Sequence, residues 1–155
     1  MMGPKPVAPA GVSAAGNPVD DEARRMWQLE RVEALRLLGS VSLGRVVFNQ
    51  NAMPAIRLVN HLLDHGDVII RTHLGAAVLT KIGEVVAYEA DSIDPHTHLG
   101  WSVVVLGFAR VVTNPEDVAR HERMLRPWVS TQMDHVIRIE PQIVTGYALA
   151  ASAGL

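Results

Sequence analysis

A chain of 155 residues, 48% hydrophobic and 19% charged, has the length of one globular domain and too apolar a composition to stay unfolded. Its formal net charge of -2, with both signs interspersed, leaves no electrostatic footprint for nucleic acid. The lack of cysteine removes disulfides, thiolate nucleophiles and Cys-based metal sites together, and fits a reducing compartment.

The first residues are Ala-rich, but Pro4, Pro6, Pro9, Gly11 and Gly16 interrupt them, so the apolar core of a signal peptide never develops. Residues 1–25 read as a flexible leader, 26–150 as one domain and 151–155 as a loose tail. No segment has the length of a membrane span free of charges, so a soluble, cytoplasmic protein is expected, away from membranes and nucleic acid.

Ordered structure is expected to begin at Met26-Trp27. Ala34, Leu35, Leu38 and Val41 keep helical spacing, which predicts a helix over Arg31 to Leu38 with Gly39 ending it at C′. Val46-Val47-Phe48 favours a strand, Asn49-Gln50-Asn51 a turn, and Pro54 a strand start. From Ala55 the pattern alternates: Ile56, Leu58, Asn60 and Leu62 on one side, Arg57, Val59, His61 and Leu63 on the other. The turn Asp64-His65-Gly66-Asp67 leads into a second strand, Val68 to Thr72, and Gly75 to Gly83 suits a short helix. Val85 to Ala90 is a strand and Asp91 to Gly100 a polar loop. Trp101 to Val112 is the longest strand-like run, with Gly107 marking a bulge or bend. Asn114 as N-cap and Pro115 at N1 start a helix that runs to about Leu125. His135 to Glu140 and Ile143 to Leu149 form a last strand broken at Pro141. About six strands and three helices without βα alternation predict a mainly β fold: a small antiparallel barrel with peripheral helices.

The chemistry concentrates between Ala55 and Lys81. Asn60 shares its face with Ile56 and Leu58, so its amide needs partners. A flavin ring edge would supply them, and so would a neighbouring loop backbone. Arg71 and Thr72 end a strand just before a helix, which groups a guanidinium, a hydroxyl and free N–H groups for a phosphate. A surface arginine beside a β-favouring threonine is the plainer alternative. Lys81 shares a helix face with Ala77 and reaches either an anion or solvent. His96 and His98, close to Asp91 and Asp94, invite a metal, but the spacing matches no established site and a solvated loop is the expectation. The serines lack a nucleophile elbow and no phosphate-binding glycine motif occurs, so no side chain is nominated as catalytic. Trp101 either packs on a ring system or plugs the barrel mouth.

The pieces LLGSVSLGRVVF, PAIRLVNHLLDHGDVIIRT, VVAYEADSIDPHTHLGWSVVVLGFARVVTNPEDVAR and VIRIEPQIVTGYAL, in this order and spacing, resemble the pyridoxamine 5′-phosphate oxidase-like, FMN-binding split-barrel proteins, especially small actinobacterial members. The resemblance implies a six-stranded antiparallel split barrel and a homodimer with cofactor sites at the interface. It implies that Arg57, Leu58, Val59 and Asn60 line the isoalloxazine and that Arg71 and Thr72 meet the ribityl-phosphate. It also places Trp101 and Ser102 near the cofactor, supplied across the dimer. The implied cofactor is FMN, or the deazaflavin coenzyme F-420.

One departure stands out: Ala77 occupies the position, two after Gly75, where the family usually carries a phosphate-pairing lysine. Losing a charge-assisted contact of about 1.5–3 kcal/mol weakens binding by roughly tenfold or more, unless Lys81 compensates. No residue can be assigned to pyridoxamine phosphate, which argues against true oxidase activity on that vitamer. The expected function is a flavin-dependent oxidoreductase acting on a small molecule. A non-catalytic FMN or deazaflavin binding or storage protein is the first alternative and a haem-binding split barrel the second.

Overall fold

The computed structural model describes residues 24–72, 84–125 and 135–151. Its elements are β1 (Arg24–Gln28), α1 (Arg31–Gly39), β2 (Leu43–Gln50), β3 (Met53–Asp64), β4 (Asp67–Thr72), β5 (Val85–Ile93), β6 (Gly100–Val111), α2 (Pro115–Met124) and β7 (His135–Ala151). The expected Gly75–Gly83 helix, with Ala77 and Lys81, lies outside the described residues, as does most of the N-terminal leader.

Every strand pairing is antiparallel, and the order β7-β4-β3-β2-β5-β6 closes on itself through a β6–β7 ladder. That ring is the expected six-stranded barrel. A seventh strand, β1, lies outside the ring because β7 is 17 residues long. One edge of β7 pairs with β6 over Ile137–Leu149; the other serves β4 over His135–Ile139 and β1 over Tyr147–Ala151. Strand β1 thus starts two residues before Met26, within the stretch read as leader.

Closure explains two glycines and a proline. β7 runs unbroken through Pro141, contrary to the expected break, because the irregularity is absorbed as a bulge. Leu106 faces Ile143 while Gly107 faces Pro141, leaving Gln142 as the extra residue. A bulge tolerates a residue without an N–H, and Arg31 donates to the carbonyls of Pro141 (3.1 Å) and Gln142 (3.5 Å). A Cβ on Gly107 would lie 2.1 Å from the Glu140 carbonyl oxygen, so only glycine lets the strands approach this closely. Gly39, expected as a left-handed C′ residue, instead lies inside α1, and Ser40 is the C-cap in αR conformation. Its lack of a side chain serves packing: an added Cβ would sit 3.2 Å from Leu63 Cδ1.

The interior is filled by inward-facing residues of alternate strand positions, among them Val46, Phe48, Val59, Val68, Ile70, Tyr88, Val103, Val105, Ile137 and Ile139. Ala34 and Leu38 of α1 are fully buried in the same cluster, so α1 packs into the barrel core as well as covering it. A second, smaller core lies outside the wall, where Leu125 and Val118 of the α2 segment meet Ile69, Val136, Leu62 and Val112. Helix α2 starts as its sequence directs: Asn114 Oδ1 accepts from the Glu116 N–H (2.9 Å) and the Asp117 N–H (3.5 Å). Among the described residues no helix is long and apolar enough to cross a membrane.

Candidate functional site

The β3–β4 hairpin turns at His65 and Gly66, both at positive φ (50° and 83°), the combination that suits the twist of a tight hairpin. Its ladder runs from Asp64↔Asp67 to His61↔Ile70 and stops there. Upstream, β3 stays paired with β2 as far as Met53, while Arg71 and Thr72 of β4 pair with Val136 and His135 of β7. The two strands therefore part, and the barrel splits. Extending the register by one step sets Asn60 against Arg71, and by a second step Val59 against Thr72, across the opening.

The residues proposed from sequence thus lie on the two lips of this split, but not in one pocket. Alternation sends Leu58, Asn60 and Arg71 to the outer side, and Arg57, Val59 and Thr72 to the inner side. Val59 and Thr72 are buried in the wall. Arg71 and Thr72 therefore point apart. Arg71 donates to the carbonyls of Leu125 (3.2 Å) and Glu122 (3.4 Å), and so meets orphan acceptors at the C-terminal end of α2. The Arg57 guanidinium donates to the Ile56 carbonyl (2.9 Å) and lies 6.0 Å from the Phe48 ring centroid, within cation–π range. Trp101 is half-buried against the main core. Its neighbour Ser102 turns to the other face of β6, in register with Asp91 and Tyr147.

Beside β3, on the same outer side as Leu58 and Asn60, a cleft of about 570 Å³ opens. It is lined by the α1–β2 connection from Gly39 to Leu43 and by Arg45, Leu58, His61, Leu62 and Asp91. That volume falls in the range of small-molecule sites.

His61, which the sequence left as a scattered histidine, borders this cleft but is 2% exposed, its ring turned inward. Its Nε2 lies 2.7 Å from the Leu38 carbonyl, an acceptor, so Nε2 carries the proton; Tyr88 then donates its hydroxyl proton to Nδ1. Burial lowers the histidine's pKa against the opposing pull of the Leu38 carbonyl, and burial raises that of the Tyr88 phenol. Both groups are therefore held neutral, and they tie α1 to the barrel wall. The signal was present in the sequence: His61 falls in phase with Val59 on the inward side.

At the other end of the hairpin, Asp64 gathers His121 Nε2 (3.0 Å), Arg120 (3.1 Å), Arg138 (3.1 Å) and His65 (2.9 Å). Burial works to raise the Asp64 carboxyl, but the hydrogen bonds from His121 and Arg138 and the charges of Arg120 and His65 outweigh it and hold it at about 2. This network docks α2 rather than forming a reaction centre. In the histidine loop, Asp94 accepts from the amides of His96 (2.8 Å) and Thr97 (2.9 Å), which lower its pKa. Its carboxylate is used in shaping the loop. Among the described residues no group of three or more His, Cys, Asp or Glu gathers as a metal site.

A closed antiparallel barrel that splits between its hairpin strands defines the class. Within it, the chain belongs to the pyridoxamine 5′-phosphate oxidase family, whose model matches residues 30–148. It is 53% identical over 137 residues to the uncharacterised protein Rv0080 of Mycobacterium tuberculosis, covering 84% of this chain and 90% of that one. Among solved structures, it resembles a candidate pyridoxamine 5′-phosphate oxidase of Corynebacterium glutamicum, with 34% identity and a TM-score of 0.69 over 81% of this chain and 92% of that one. It also resembles the FAD-binding protein of Mycobacterium smegmatis, with 32% identity and a TM-score of 0.61 over 77% and 96% of the two chains.

Proposed function

We propose that this chain binds FMN along the outer side of the split and acts as an oxidoreductase on a small molecule. The observation that carries this reading is the opening of β3 from β4 beyond His61↔Ile70, which leaves Asn60 and Arg71 on its two lips beside the exposed Leu58. Leu58, 60% exposed, gives a planar ring an apolar surface. Asn60 offers both an acceptor and donors to a ring edge carrying one donor and two acceptors. Arg71, on the facing lip, is the cation proposed to turn to a phosphate, which it would meet by exchanging its bonds to the Glu122 and Leu125 carbonyls. The M. smegmatis relative described as FAD-binding supports a flavin as the chemical class. Deazaflavin F-420 presents the same ring edge and is the alternative cofactor.

A bound flavin would supply the hydride chemistry, leaving the protein to orient it and exclude water. Leu58, Asn60 and Arg71, on the outer side, serve binding, while Val59 and Thr72, buried in the wall, hold the two lips in place. Storage of the cofactor would draw on the same residues, and reduction separates the two roles.

The site is proposed to sit at the interface of a homodimer. Across the outer wall, Ile56, Val47, Ala87, Leu106 and Ile143 stand in register as one apolar row spanning five strands. Ile56 and Ile143 are each 58% exposed in the single chain. A second copy fits this face because an isologous contact sets apolar row against apolar row. Leu58, Arg45 and Asp91 belong both to this face and to the cleft, so a partner would wall the cofactor site.

The test is the absorbance spectrum of the purified full chain, followed by FMN and F-420 titration and addition of NADPH or reduced F-420. A flavin spectrum, or saturable uptake, followed by bleaching and reoxidation by an added acceptor supports an oxidoreductase. Uptake without reduction supports storage. A preparation that takes up neither cofactor overturns both.

A further inference from the structure

The apolar outer face carries one charged cluster near its middle. One step along from the row through Ala87, the register reads Leu58, Arg45, Glu89, Val104 and Thr145 across the same five strands. Asp91 stands two residues further along β5, on the same side as Glu89, opposite Ser102. Arg45 Nη1 lies 3.2 Å from Glu89 Oε2 and 3.9 Å from Asp91 Oδ2. Two carboxylates therefore share one guanidinium. The surrounding elements do not balance the excess. The neighbouring outward positions are Leu58 and Asn60 on β3, Val104 and Ser102 on β6, Thr145 and Tyr147 on β7, and Ser40 and Ser42 before β2. Of these side chains none is a carboxylate, a histidine, a lysine or an arginine. Tyr88, adjacent in sequence but inward, is bonded to His61, and on α1 Arg36 and Glu33 satisfy each other.

We propose that self-association through this face, the reading on which this inference rests, takes up protons at the Glu89–Asp91 pair, so that the dimer is favoured by acid. In the single chain water still reaches the cluster: the side chains of Arg45, Glu89 and Asp91 are 50%, 24% and 44% exposed. A second copy laid over the face removes that water. Each protomer then carries one carboxylate more than its guanidinium can neutralise, and taking a proton costs less than burying an uncompensated charge. The single chain already leans this way. Burial raises the Glu89 carboxyl, its hydrogen bond and repulsion with Asp91 raise it further, and Arg45 opposes both. The sign follows from linkage: the dimer holds more protons than two monomers, so association weakens as pH rises through the carboxyl's monomer pKa.

The experiment is sedimentation equilibrium of the full chain from pH 5 to 8.5 at constant ionic strength. With one proton taken up per protomer, the dimer Kd should rise by up to about a hundredfold per pH unit in the steep region. Glu89→Gln and Asp91→Asn each leave one carboxylate for Arg45. Both should flatten the profile and tighten the dimer at pH 8, and unchanged thermal midpoints would show that the fold is intact. A wild-type dimer with a flat profile overturns proton uptake while leaving the dimer standing. A slope retained in both variants places the proton elsewhere and also overturns it. A monomer at every pH overturns the dimer reading and this inference with it.

Discussion

Asp64→Ala tests the account of how α2 is held. The wild-type carboxylate meets His121, Arg120 and Arg138 within 3.1 Å. Two of these lose little: Arg138 keeps Asp67 at 2.8 Å, and Arg120, 41% exposed, keeps Asp117 at 3.2 Å. His121 is the exposed weakness. It is 1% accessible, its Nδ1 already makes no hydrogen bond, and without Asp64 its Nε2–H is buried unpaired as well. An unsatisfied buried donor costs about 1–3 kcal/mol, and the lost charge-assisted bond to Arg138 adds about 1 kcal/mol. The expected loss is therefore about 3 kcal/mol at pH 7, read as a lower urea midpoint at unchanged slope. Asp64→Asn keeps an acceptor for His121 and should cost about half as much. The pH profile fixes the sign. The Asp64 carboxyl lies at about 2 when folded against a model value of 3.8, so its contribution is complete above about pH 4 and disappears as pH falls toward 2. The gap between wild type and Asp64→Ala should shrink through that window by about 2 kcal/mol. A cost below about 0.5 kcal/mol, or a gap that does not change between pH 5 and 2, would refute the network as the clamp on α2.

Four further outcomes are expected, the first three from local geometry. Gly107→Ala places a methyl 2.1 Å from the Glu140 carbonyl and should cost more than about 3 kcal/mol in thermal or urea unfolding. Gly66→Ala, at φ 83° in open space, should cost only about 1–2 kcal/mol of backbone strain. Tyr88→Phe strips the donor from buried His61 Nδ1 and should cost about 1–3 kcal/mol by the same unfolding assay. Ala77→Lys, restoring the lysine the family usually carries, should lower the FMN Kd by about tenfold in a fluorescence titration; an unchanged Kd would show that another group already meets the phosphate.

Much of the barrel could be read from the chain because its signals are local. The alternation through Ala55–Leu63, the His65-Gly66 turn and the Asn114-Pro115 helix start each depend on neighbours a few residues away. What stayed hidden depends on distant partners. Arg24 and Arg25 look like leader until the length of β7 provides an edge for β1. Pro141 looks like a break until Gly107, far away in sequence, makes the bulge that absorbs it. The candidate site shows the same division. Alternation alone says that Arg71 and Thr72 face opposite ways, so their grouping as one phosphate cradle was correctable from the sequence. That Arg71 reaches the α2 carbonyls, or that His61 is clasped by Leu38 and Tyr88, requires contacts between segments 23 to 54 residues apart.

The most direct measurement for the central claim is a titration of isotopically labelled protein with FMN, following backbone amide shifts. Binding in the split should give saturable changes at Leu58, Val59, Asn60, Arg71 and Thr72, with the Asp64–Asp67 turn unmoved. Changes absent from both lips of the split, or confined to a surface away from β3 and β4, would contradict it.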